Sequence, residues 1–112
     1  MNDSTKRGAL MQGDSYNLKV EILNKDKTPV IPDDVSDVEI TVGSLRKTYA
    51  NNEVTYNEGL GKWLFPLTQE ETFRFTPARV KAQVRVVMKS GIVEGVPLGT
   101  INVLESISKE VL

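Results

Sequence analysis

Apolar and polar residues alternate most clearly over Val80–Lys89. Val80, Ala82, Val84, Val86 and Met88 fall on one side of a pleated ribbon. Lys81, Gln83, Arg85 and Lys89 fall on the other, with Val87 the apolar exception. Period-2 patterning predicts a strand with one buried and one wet face. β-Branched valine suits it, because its stiff χ1 packs well on a pleated surface. Such a ribbon cannot hide its apolar face alone, so the chain must supply a second sheet.

The same alternation recurs upstream. Tyr16, Leu18, Val20 and Ile22 predict a first strand, and Asn24-Lys25-Asp26-Lys27 a polar turn. Pro29-Val30-Ile31-Pro32 is extended, since each proline fixes φ and biases its predecessor away from helix. Asp33–Asp37 reads as a turn, and Val38, Ile40 and Val42 as a strand that Gly43 breaks. Leu45, Lys47 and Tyr49 mark a weaker, charged strand. Asn51-Asn52 is a hairpin signal leading into Val54-Thr55-Tyr56, because Asn tolerates positive φ. After a turn at Asn57–Gly61, Trp63, Phe65 and Leu67 share one face of a further strand.

Thr68-Gln69-Glu70-Glu71 has the capping-box pattern and predicts one short helical turn near 69–73, stopped before Pro77. Phe73 and Phe75 are expected to plug the bottom of the core. After the long strand, Ser90-Gly91 turns the chain and Ile92–Val96 pairs back. Pro97 and Gly99 are expected to interrupt that strand before Thr100–Leu104 completes the sheet edge. Strands with turn signals every eight to twelve residues describe an all-β fold. The reading favours an immunoglobulin-like antiparallel β-sandwich of about seven strands, with an open barrel as runner-up. It divides the chain into a flexible N-terminal arm at 1–13, a sandwich domain at 14–104 and a C-terminal tail at 105–112.

Composition narrows the chemistry. A chain of 112 residues is one domain by size and buries roughly two-thirds of its unfolded surface. With 0 Cys and 0 His, thiolate chemistry, disulfides, imidazole metal sites and a Ser-His-Asp triad are excluded. No motif supports a Ser-Lys pair. A net charge of -1 gives no field favouring nucleic acid or an anionic membrane. No apolar run reaches membrane-spanning length, and residues 1–11 lack the apolar stretch of a signal peptide. Asn2-Asp3-Ser4 matches a glycosylation sequon and is read as chance.

Each remaining constellation has a bland reading that outweighs the functional one. Asp33, Asp34, Asp37 and Glu39 could offer oxygens to Ca²⁺, but their spacing matches no calcium loop and turns recruit Asp for their own backbone. Glu70-Glu71 and Asp33-Asp34 are adjacent pairs, which seldom converge on one substrate atom. Gly59-Leu60-Gly61-Lys62 lacks the spacing of a phosphate loop and precedes a strand. The basic stripe of Lys81, Arg85 and Lys89 has no interleaved aromatics for base stacking, so it reads as a solvated sheet face. No catalytic, cofactor-binding or metal residue is assigned, and no cofactor.

Three stretches carry a resemblance: Asp33–Ile40, then Trp63-Leu64-Phe65-Pro66-Leu67-Thr68-Gln69-Glu70-Glu71-Thr72, then Val84-Arg85-Val86 through Gly95 to Ile101-Asn102-Val103. Over roughly 14–104 their order resembles small structural proteins of tailed phages and prophages of Gram-positive bacteria. It also resembles, more distantly, the immunoglobulin-like N-terminal module of phage baseplate upper proteins. The resemblance implies a non-enzymatic virion component of a head, tail or baseplate, present in the virion and in the host cytoplasm during assembly. Its partners would be other virion proteins or further copies of itself, with no nucleic acid and no membrane. Residues 1–13 and 105–112 are then expected to order on neighbouring subunits. The alternative is a carbohydrate- or ligand-binding module using Tyr49, Tyr56 and Trp63, which requires an exposed aromatic cluster.

Overall fold

The computed structural model describes residues 9–75, 77, 79–104 and 106. They form an all-β sandwich. Eight strands run in the order β1 (Ala9–Met11), β2 (Tyr16–Val20), β3 (Val35–Val42), β4 (Leu45–Thr48), β5 (Thr55–Asn57), β6 (Lys62–Leu67), β7 (Arg79–Met88) and β8 (Val93–Leu104). One sheet has the order β1-β8-β7-β3-β4, the other β2-β6-β5. Neighbouring strands are antiparallel except β1, which runs parallel to β8.

The core lies between the sheets where the alternation places it. Val38, Ile40 and Val42 of β3, Trp63, Phe65 and Leu67 of β6, and Ala82, Val84 and Val86 of β7 are all buried. β7 sits between β3 and β8, with Ile40 opposite Val84 and Val38 opposite Val86. Trp63 and Phe65 are fully buried; side chains of this size each contribute about 2 kcal/mol or more through apolar burial. Pro66 is tolerated because β5 pairs only with Lys62–Leu64, leaving β2 as the sole neighbour of β6 beyond that point.

The predicted helical turn is present as α1 (Gln69–Phe73). The Thr68 hydroxyl accepts from the Glu71 amide at 3.1 Å, and Glu71 Oε1 accepts from the Thr68 amide at 2.9 Å. Phe75 is buried, whereas Phe73 is half-buried and lies over Gly13.

Five expectations are corrected, most of them by long-range pairing. The Asn51-Asn52 turn forms, with Asn52 at φ 62, but it joins no hairpin. β4 belongs to the five-stranded sheet and β5 to the three-stranded one, so this turn carries the chain across the sandwich, and Val54 is buried on the way. The turn expected over Asp33–Asp37 is a single 3-10 turn at Pro32–Asp34, and β3 already begins at Val35 with a register shift before Asp37. Pro97 and Gly99 do not interrupt the final strand. β8 is continuous, and a register shift at Ala82/Gln83 absorbs the irregularity. Nor is β8 the sheet edge, since Ala9–Met11 pairs with Asn102–Leu104 outside it. Residues 9–13, read from sequence as part of the arm, therefore belong to the described fold. The remainder of the arm, 1–8, lies outside the described residues, as do 105 and 107–112 of the tail.

Candidate interaction surface

At one end of the sandwich the polar groups are occupied with one another. Gln12 is buried and its Nε2 donates to the Phe75 carbonyl at 2.9 Å. The Gly13 amide donates to Thr72 Oγ1 at 2.9 Å, and that hydroxyl donates to the Asp14 carbonyl at 2.8 Å. Gly13 sits at φ 87, and a Cβ there would lie 2.6 Å from Phe73 Cζ, so only glycine fits. Lys47 reaches across from β4 to the other sheet. Its Nζ donates to the Pro66 carbonyl at 2.6 Å and to Glu71 Oε1 at 2.9 Å, 5.4 Å from the centre of the Phe65 ring. Burial alone would raise the Glu71 pKa, but the Thr68 amide and the Lys47 ammonium outweigh it and hold the carboxyl below its ordinary range.

The opposite end is open and apolar. Ile22, Val30, Val86 and Met88 line a cleft of about 460 Å³, with Leu23, Asn24, Lys25 and Glu94 completing its wall and rim. Leu23 is 46% exposed, and Ile92 and Val93, in the turn and at the start of β8, are 57% and 54% exposed. Ile31, next in sequence to the cleft-lining Val30, is 37% exposed. The Asp26 carboxylate, bonded first by the Thr28 hydroxyl and then by its amide, shapes the 24–28 loop beside the cleft and has a lowered pKa. The apolar floor of the cleft, with exposed Leu23 beside it and the polar 24–28 loop along its rim, forms a candidate contact surface. The sequence pattern assigns no role to Leu23 and places Ile92-Val93 at the start of a strand that pairs back. The available signal was an apolar residue directly beside each turn sequence.

The aromatic trio does come together. Trp63 is its buried centre, with the Tyr49 and Tyr56 rings each 5.2 Å away at 85° and 58°. The indole N–H donates to the Val30 carbonyl at 2.9 Å. Trp63 is therefore a core residue, not a ligand platform, while Tyr49 and Tyr56 remain half-exposed.

The acidic residues do not converge. Asp33 and Asp34 lie in the 3-10 turn, Asp37 Oδ1 accepts from the Val38 and Ala50 amides, and Glu39 pairs with Arg46. Glu70 and Glu71 are in α1, which adjoins the β3–β4 turn at the far end of β3 from Asp33 and Asp34. Among the described residues no group of three or more acidic side chains could hold a metal ion. Lys81, Gln83, Arg85 and Lys89 are exposed as expected, with Glu39 and Thr41 opposite Arg85 and Gln83 across the β3–β7 ladder. Gly59 and Gly61 lie in the β5–β6 hairpin turn, where Gly61 has φ 65 and the Asn57 side chain accepts from the Leu60 amide. Among the described residues no helix is long and apolar enough to cross a membrane.

Comparison with known proteins gives no match: no family model, no curated protein and no solved structure is significantly similar to the chain.

Proposed function

We propose that this chain is a non-enzymatic structural or assembly protein of a tailed-phage virion, a head-decoration, head-fibre, tail or baseplate component that works through protein–protein contacts. The observation carrying this reading is the open end: an apolar cleft floored by Ile22, Val30, Val86 and Met88 with exposed Leu23 in its wall, on a domain whose other end is tied by its own hydrogen bonds. The sequence resemblance supplies the virion context.

Strand order supports the immunoglobulin-like part of the reading. β2-β6-β5 follows the B-E-D order of such sandwiches, and β3-β7-β8 follows C-F-G. On that correspondence, the cleft end carries the B–C and F–G loops, the end where immunoglobulin variable domains place binding loops.

Mass spectrometry of purified particles, produced by a host carrying this gene, tests the proposal. The chain is expected in the particles at fixed stoichiometry, and incorporation should fail in a Leu23→Ser/Ile92→Ser/Val93→Ser variant. Absence of the chain from purified particles would overturn it. The second reading, a carbohydrate-binding module, keeps only the partly buried Tyr49 and Tyr56, since Trp63 is core; glycan binding lost on Tyr56→Ala would select it instead.

A further inference from the structure

The outer face of the five-stranded sheet carries a second surface, distinct from the cleft. Val86 is buried between the sheets, so its neighbours Arg85 and Val87 point away from the core. Val87 stands opposite Val93 across the β7–β8 ladder, and Arg85 opposite Gly95. Val93 therefore lies on this outer face, 54% exposed, and Ile92, 57% exposed, precedes it in the turn. Along β7 the outward row reads Lys81, Gln83, Arg85, Val87. It is a row of hydrogen-bond donors that ends in an apolar pair, and Gly95 offers no side chain to screen Arg85.

The face does not neutralise its own cations. Glu39 lies opposite Arg85 on β3, but its carboxylate pairs with Arg46 of β4. Asp37, opposite Val87, commits Oδ1 to the Val38 and Ala50 amides. Among the described residues no carboxylate pairs with Lys81, Arg85 or Lys89. Covering an unpaired guanidinium is costly, so an occupant of this face must bring its own carboxylates.

We propose that the face docks an acidic segment of another protein, with two carboxylates against Lys81 and Arg85 and an apolar side chain against Val87 and Val93. At ~3.3 Å per residue, Lys81 and Arg85 stand ~13 Å apart, with Val87 a further ~7 Å on. The matching segment presents a carboxylate, a polar group, a carboxylate and an apolar group at every second position. Charge separates this occupant from the others. A second copy offering the same face would set Lys81 and Arg85 against their own kind. Outside the described residues the chain's acidic side chains are Asp3, Glu105 and Glu110. Asp3 is close in sequence to Lys6 and Arg7, and Glu105 and Glu110, five apart, fall on opposite sides of any extended strand. Nucleic acid would match the cations, but the row has no aromatic to stack a base, and a phosphate has nothing to set against Val87 and Val93.

This inference rests on the reading of the chain as a contact-making virion protein, and its test is read separately from the presence of the chain in particles. Purified particles treated with a carbodiimide, which joins an ammonium to a carboxylate in direct contact, should yield peptides in which Lys81 or Lys89 is bonded to Asp or Glu of a different protein. Arg85→Glu should lower incorporation about tenfold and Val93→Ser about threefold, whereas Arg85→Lys, which keeps the charge, should retain most of it. Unchanged urea midpoints will show that these exposed-site variants still fold. Absence of such cross-links, or their confinement to this chain's own sequence, overturns the proposal. So does incorporation indifferent to Arg85→Glu. Ultraviolet cross-linking of 79–89 to nucleic acid would make the face a nucleic-acid contact and overturn it as well. In each of these cases the chain is still found in the particles, so the virion reading stands and this inference alone fails; absence of the chain from particles overturns both.

Discussion

The two ends of the sandwich are built from different residues, polar groups bonded to one another at one end and apolar side chains at the other. At the closed end Gln12, Gly13, Thr72 and Phe75 bond across the gap between β1 and α1, and Lys47 ties the sheets together over Phe65. At the open end Ile22, Val30, Val86 and Met88 continue the core to the surface, and Leu23 stands exposed beside them. Stability is thus concentrated where buried polar groups are fully partnered. A contact surface survives where apolar groups are left over once folding is complete.

The sharpest break in this contrast should come from Gly13→Val. A β-branched residue at φ 87, 2.6 Å from Phe73, should cost about 3 kcal/mol or more in urea unfolding. Thr72→Val keeps the shape but orphans the Gly13 amide, and should cost about 1–2 kcal/mol in the same measurement. Glu71→Ala removes both the capping box and the partner of Lys47. About 1 kcal/mol is expected, with helix capping as the main cause.

Acid should act through the same residue. The folded-state pKa of Glu71 lies below its ordinary value of 4.5, so its stabilisation is complete above that value and is lost as pH falls through the folded pKa. Urea midpoints of the intact chain should therefore fall faster below about pH 4.5 than those of Glu71→Gln. The smallest effect belongs to the open end. Leu23→Ser and Ile92→Ser should each change stability by about 0.5 kcal/mol or less. A loss as large as that of Thr72→Val would erase the distinction between the ends.

What could be read from the sequence followed from local physics. β7 and β6 declare themselves by period-2 alternation, the Thr68–Glu71 box by its spacing, and the Gly43 turn by its need for positive φ, observed at 60. The features that escaped depend on which strands meet. Nothing local tells Asn51-Asn52 to cross between sheets, or lets β8 run through Pro97 by a register shift. Lys47 carries no local mark of a sheet-to-sheet tie. The cleft was hidden for the same reason: Leu23 and Met88 are far apart in sequence and gain meaning only when the two sheets bring them to the same end.

Amide hydrogen exchange of the free chain and of the chain assembled in purified particles compares the two ends in one measurement. Protection over 22–30 and 88–96 should rise on assembly, while protection over 12–14 and 68–75 stays constant. Equal changes at both ends, or none at the cleft, would contradict the assignment of one end to holding the fold and the other to meeting a partner.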